Sequence, residues 1–116
     1  MRRVVFTSLL CLALAGSASA STMQRFSGAW DWRFETSAFT TDGGEGPYWL
    51  VGEGRVWEQL NAPFGDRGPW GRAHIVVEGT LSAPGQYGHL GAYSRQLRVT
   101  RVIEARALST RESSAP

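Results

Sequence analysis

Apolar and polar residues alternate with a period of two along much of this chain, a pattern that predicts half-buried β-strands. In 25–36, Phe26, Gly28, Trp30, Trp32, Phe34 and Thr36 share one face, while Arg25, Ser27, Asp31, Arg33 and Glu35 share the other. This reads as a single strand with a heavily aromatic side. In 72–82 the apolar face is Ala73, Ile75, Val77, Gly79 and Leu81, and only Val76 breaks the alternation. Gly79 has no side chain inside that pattern, which predicts a bulge or the close approach of another backbone. Further on, Tyr93, Leu97, Val99 and Ile103 lie on one face, with Arg98, Thr100 and Glu104 opposite. Arg101 and Val102 are out of phase, so a bulge is expected near 100–102. A helix competes for 96–108, because Leu97, Arg101 and Ala105 also fall at a helical spacing. The β-branched Val99, Thr100, Val102 and Ile103 favour the strand.

The stretch 48–60 is expected to be extended as well, with Leu50 and Val56 in phase and Trp49, Val51 and Trp57 on the opposite face. Gly52 and Gly54 interrupt it and predict a sharp bend, as at a barrel corner. Residues 37–47, rich in threonine and glycine, read as a loop, and 61–71 reads as a connection carrying Phe64 and Trp70. Four or five bent strands around one small core predict an all-β fold, a small partly open barrel of the OB (oligonucleotide/oligosaccharide-binding) type. A β-sandwich or a meander is the alternative.

Targeting changes what counts as the folded chain. Arg2 and Arg3, an apolar run from Val4 to Ala15 and the small residues Ala18-Ser19-Ala20 make 1–20 a secretory signal peptide. The apolar run is too short for a transmembrane helix. The expected mature protein is therefore exported, periplasmic or secreted, without a membrane span. It comprises one β-barrel domain over 21–108 and a polar, disordered tail over 109–116. The single cysteine, Cys11, leaves with the signal, so neither a disulfide nor a thiolate metal site is expected. Arg2 and Arg3 also account for the net charge of +2, so the remainder balances arginine against acid and contains no lysine. That balance argues against a non-specific nucleic-acid or anionic-membrane binder.

The run VVEGTLSAPGQYGHLGAYSRQLRVTRV resembles the strand–loop–strand region of small exported bacterial proteins of uncharacterised function, some of them OB-like. The resemblance spans about a quarter of the chain. It implies a fold and no catalytic residue.

Candidate chemistry is sparse. His74 and His89 are the only histidines, no ligand spacing surrounds them, and no cofactor or metal is expected. Their plain readings are a solvent-facing strand residue and a loop-bracing hydrogen-bonder. Ser82 and Ser94 flank the loop that holds His89, but there is no nucleophile elbow and no evident orienting carboxylate. The carboxylate pairs Glu53 with Glu58 and Asp42 with Glu45 read as solvated or turn residues. Aromatic groups are the better signal. Trp30 and Trp32 are expected in the core, whereas Trp49, Trp57 and Trp70 are candidates for ligand contact, because exposed rings stack on sugars, bases or partner side chains. In the glycine-punctuated loop 84–93, Tyr87, His89 and Tyr93 join them, since Gly88 and Gly91 permit positive φ and a tight fold-back. The leading functional reading is a non-enzymatic binding or accessory module of the cell envelope, its ligand or protein partner unnamed. A small envelope enzyme using His89, or an assembly subunit pairing through a free strand edge, are the alternatives.

Overall fold

The computed structural model describes residues 22–67 and 70–108, in which five strands close into a barrel in the order β1-β2-β3-β5-β4. The strands are β1 (Gln24–Arg33), β2 (Thr36–Thr41), β3 (Tyr48–Val51), β4 (Gly71–Leu81) and β5 (Gln96–Ala107). Every pairing is antiparallel except β3 with β5, and β1 closes the ring onto β4. One short helix, α1 (Gly54–Asn61), runs from the end of β3 into a 3₁₀ turn over Ala62–Arg67 and so into β4. This is the small all-β barrel that the alternation predicts, with each strand paired on both sides. The expected signal peptide and polar tail lie outside the described residues. Among the described residues, no helix is long and apolar enough to cross a membrane.

The core follows the pattern in β4 closely. Ala73, Ile75 and Val77 are fully buried and alternate with half-buried residues along the strand. They meet Trp30, Phe39, Leu50, Leu60, Phe64 and Leu97 inside the barrel. A fully buried large side chain contributes about 1.5–3 kcal/mol. An exposed ion pair contributes about 0–1 kcal/mol. Packing, not the surface Arg25–Glu78–Arg101 cluster, therefore holds this fold.

Gly79 behaves as its position in the strand suggests. A β-carbon there would lie 2.2 Å from the carbonyl oxygen of Arg98, so the β4 and β5 backbones approach where no side chain fits. Register shifts occur between Glu78 and Gly79 and between Val76 and Val77, which makes Thr100 and Ile103 the extra residues of β5. Each extra residue reverses the phase of the strand. As a result Val102 packs against the core, whereas Ile103, expected inside, is exposed.

Three expectations change. The stretch 25–36 is not one strand: it ends at Arg33, and Phe34 and Glu35 form a tight turn into β2, with Arg33 paired to Thr36. Phe34 is consequently 70% exposed rather than part of the aromatic core face. Much of the expected loop 37–47 is the strand β2, whose β-branched threonines suit a pleated surface and whose Ser37 and Phe39 point inward. The extended reading of 48–60 holds only to Val51. Beyond it, Val56 and Leu60 lie four residues apart on one face of α1 and pack on the core together with Trp57.

Candidate functional site

The turn from β1 into β2 and the exit of β3 into α1 lie side by side and leave a pocket of about 640 Å³, open to solvent. Three indoles line it: Trp32 from the end of β1, Trp49 from β3 and Trp57 from α1. Their positions follow from the elements that carry them. Trp32 lies against Trp30, with ring centroids 5.5 Å apart and planes within 11°. Trp30 is anchored in turn, because its Nε1 donates to Ser37 Oγ at 2.9 Å and that hydroxyl donates to the Leu50 carbonyl at 2.8 Å. This chain of hydrogen bonds ties β1, β2 and β3 together beneath the pocket and satisfies the buried indole N–H. Trp57 stands at 84° to Trp32 with centroids 5.2 Å apart, an edge-to-face arrangement.

The loop 82–95 packs against Trp49 and adds no side chain to the lining. It is held by its own backbone ladder: Tyr87 N donates to Tyr93 O at 2.8 Å, Tyr93 N to Tyr87 O at 3.1 Å, and Gly85 N to Ser94 O at 2.9 Å. Trp49 N donates to Arg95 O at 3.0 Å, which fastens β3 to the base of the loop. The Trp49 ring then meets two loop residues, with the Tyr93 ring at 5.1 Å and the backbone of Gly88 directly against the indole. Gly88 and Gly91 both have positive φ, at 74° and 65°, as the fold-back of the loop requires. At its tip, His89 Nε2 lies 3.2 Å from Glu35 Oε1, so the loop is latched to the β1–β2 turn. Both latch partners adjoin strained backbone: Glu35 itself and Leu90, beside His89, are the non-glycine residues with positive φ among the described residues.

Charged groups at the mouth are mostly acidic. Glu35, Glu53 and Glu58 line the pocket with Arg33. Arg33 is engaged by Asp31 at 2.8 Å, and Arg98 reaches Glu53 at 3.5 Å.

The structure gathers some of the candidate residues and separates others. Trp49 and Trp57 line the pocket, Tyr93 backs Trp49, and His89 reaches the pocket residue Glu35. Tyr87 turns into its own loop, its hydroxyl donating to the Ala83 carbonyl at 2.9 Å. Trp70 stands apart from the pocket, packed on Phe34 at 6.4 Å. Sequence reasoning missed Trp32 and Glu35 as lining residues. Trp32 looked like pure core, and no turn signal marked Phe34-Glu35 as the corner that brings Glu35 round to the pocket. Glu53 and Glu58 were legible as a pair of carboxylates, but only α1 brings them to the same opening.

A second polar cluster lies on the outer wall. Ser27 Oγ donates to Asp42 Oδ2 at 2.6 Å, and His74 Nε2 is 3.0 Å from Asp42 Oδ1. The Ser27 hydrogen bond, and after it that of His74, holds the Asp42 carboxyl below its ordinary value. Both side chains bond to the carboxylate and not to each other, so the serine faces Asp42 and not the imidazole. His74 is braced by this contact rather than simply facing solvent. Ser82 Oγ, at the base of the loop that carries His89, donates to the Ala83 carbonyl and accepts from Gln96 N. Among the described residues, no group of three or more His, Cys, Asp or Glu side chains is placed to hold a metal ion. Comparison of the chain with protein-family models, with curated proteins and with solved structures finds no match in any of the three.

Proposed function

We propose that this chain is a binding module of the cell envelope that holds a small ligand in the pocket between Trp32, Trp49 and Trp57. The observation that carries this reading is the set of three indoles lining one solvent-open cavity of about 640 Å³. That volume falls in the range of small-molecule sites, which are mostly apolar concavities with a few polar groups to orient the ligand. Pre-organisation supports it further. The loop ladder, the Trp49–Gly88 contact and the Trp30–Ser37–Leu50 chain fix the walls before anything binds, which lowers the entropy lost on binding. The two alternatives have less in their favour. His89 does meet a carboxylate, Glu35, but the contact is solvent-exposed on both sides rather than buried. The free edge an assembly subunit would use is limited to stretches such as β5 beyond Arg98, since every strand has a neighbour on each side along part of its length.

The test is retention of small molecules. The purified protein, immobilised and exposed to the low-molecular-weight fraction of an envelope extract, should retain one or more compounds detectable by mass spectrometry, and Trp49→Ala should not. A wild-type protein that retains nothing, or a Trp49→Ala protein that retains the same compounds, would overturn the proposal.

A further inference from the structure

We infer that the pocket selects a small organic cation, an alkylated ammonium group carried on a compact apolar body. This rests on the pocket reading above and adds the chemical class of the ligand. Two independent features of the lining point the same way. The first is the arrangement of the rings. Trp32 and Trp57 both line the cavity with their planes at 84° and their centroids 5.2 Å apart. A flat ligand stacks on one of two perpendicular planes, whereas a rounded onium group can lie against both. Indole faces carry the negative end of the ring quadrupole, and tryptophan is the strongest of the aromatic side chains for holding a cation.

The second feature is charge. Among the charged residues that line the cavity, three carboxylates, Glu35, Glu53 and Glu58, face one guanidinium, Arg33, while Arg98 reaches Glu53 from outside the lining. The Arg33 guanidinium is held by Asp31 at 2.8 Å, and among the described residues no ion pair engages Glu58. An anionic ligand such as a nucleotide or an oligonucleotide strand would meet repulsion at this mouth. A neutral sugar would gain ring stacking and nothing from the excess charge. A cation gains from both terms.

Choline chloride, its neutral carbon isostere 3,3-dimethylbutan-1-ol and the neutral disaccharide cellobiose test this directly. Each is titrated into the full-length protein at constant ionic strength, with tryptophan fluorescence as the readout. Choline should bind about tenfold or more tightly than the isostere, the ratio that cation–π contact and carboxylate attraction together provide. The double variant Glu53→Gln/Glu58→Gln should weaken choline about threefold or more while leaving the isostere unchanged, since it removes charge and keeps shape. These exposed positions tolerate the change without unfolding, which a melting curve verifies. Equal binding of choline and the isostere, or tighter binding of cellobiose, would overturn the cation inference and leave the pocket reading standing. No binding of any of the three up to about 10 mM, beyond the weak end of specific affinity, would overturn the cation inference outright. Retention of envelope compounds by the wild type then decides the pocket reading separately.

Discussion

Gly88 touches Trp49 so closely that a β-carbon on Gly88 would lie 2.4 Å from Cδ2 of the indole. The same residue has a φ of 74°, so it is glycine for two separate reasons. Gly91 has only the second, its φ of 65°, since a β-carbon there would come no nearer than 3.3 Å to Gln86 Cβ, a tight contact that a small shift of that side chain relieves. Gly91→Ala should therefore lower stability by about 1 kcal/mol, the usual penalty for alanine at positive φ. Gly88→Ala should cost clearly more, because it also displaces Trp49 from the Tyr93 ring. Urea unfolding of the two variants checks the order, and equal losses would show that the Trp49 contact yields freely.

Ser37 should matter out of proportion to its size. It is the buried acceptor of the Trp30 indole N–H, and its own hydroxyl reaches the Leu50 carbonyl. Ser37→Ala leaves that donor unsatisfied in the barrel interior and should cost about 1–3 kcal/mol. Trp30→Ala, which empties a fully buried aromatic site, should cost about 3–5 kcal/mol. Trp32→Ala should cost less than Trp30→Ala, because Trp32 keeps part of its surface in the pocket. Thermal or denaturant melts rank the three variants, and a Ser37→Ala protein with an unchanged midpoint would contradict the hydrogen-bond chain.

The His89–Glu35 latch should be weak in the free protein. Its side chains are 39% and 47% exposed, and such pairs contribute about 0–1 kcal/mol. The loop ladder stays intact without it. His89→Ala should thus leave the melting curve nearly unmoved, and a double-mutant cycle with Glu35→Gln should give a coupling below about 1 kcal/mol. A large stability loss for His89→Ala would mean that the loop is held by its tip rather than by its backbone.

Acid should loosen the outer wall in a defined direction. The Ser27 and His74 contacts hold Asp42 below its unfolded value of 3.8, and Arg25, followed by Arg101, holds Glu78 below 4.5. A carboxylate lowered on folding stabilises the native state above its unfolded value and loses that stabilisation as pH falls through the folded one. Asp42→Asn should therefore destabilise the protein at neutral pH. In acid, below the folded value, the difference from wild type should shrink towards zero. A variant difference that is constant with pH would contradict this assignment.

The barrel was legible where one rule governs a whole strand. In β4 the alternation from Ala73 to Val77, and even the backbone approach at Gly79, could be read directly. Elsewhere two signals competed. Phe34-Glu35 is an atypical hairpin dipeptide, lacking the glycine or asparagine that usually supplies positive φ, so the aromatic run appeared continuous across it. In α1, Val56 and Leu60 fit helical spacing, but the eight-residue helix follows a β-strand without a capping side chain to mark its start. One β5 bulge was anticipated near 100–102, yet there are two: the extra residue Thr100 turns Ile103 outward, and a second at Ile103 restores the phase so that Ala105 and Ala107 pack on the core. The pocket inherits these difficulties. Trp49, Trp57, Tyr93 and His89 could be named from residue type, but Trp32 and Glu35 join them only through the tight turn.

The five indole N–H groups offer the most direct measurement of the central claim, that Trp32, Trp49 and Trp57 form one binding site. In a ¹⁵N correlation spectrum each tryptophan gives a resolvable indole signal, assigned by single Trp→Phe substitutions. Titration with the compound retained from the envelope extract should shift the signals of Trp32, Trp49 and Trp57 together, along one saturating curve. The signal of Trp70, packed on Phe34 away from the pocket, should stay in place. Movement of Trp70 with the three pocket signals unchanged would contradict the account.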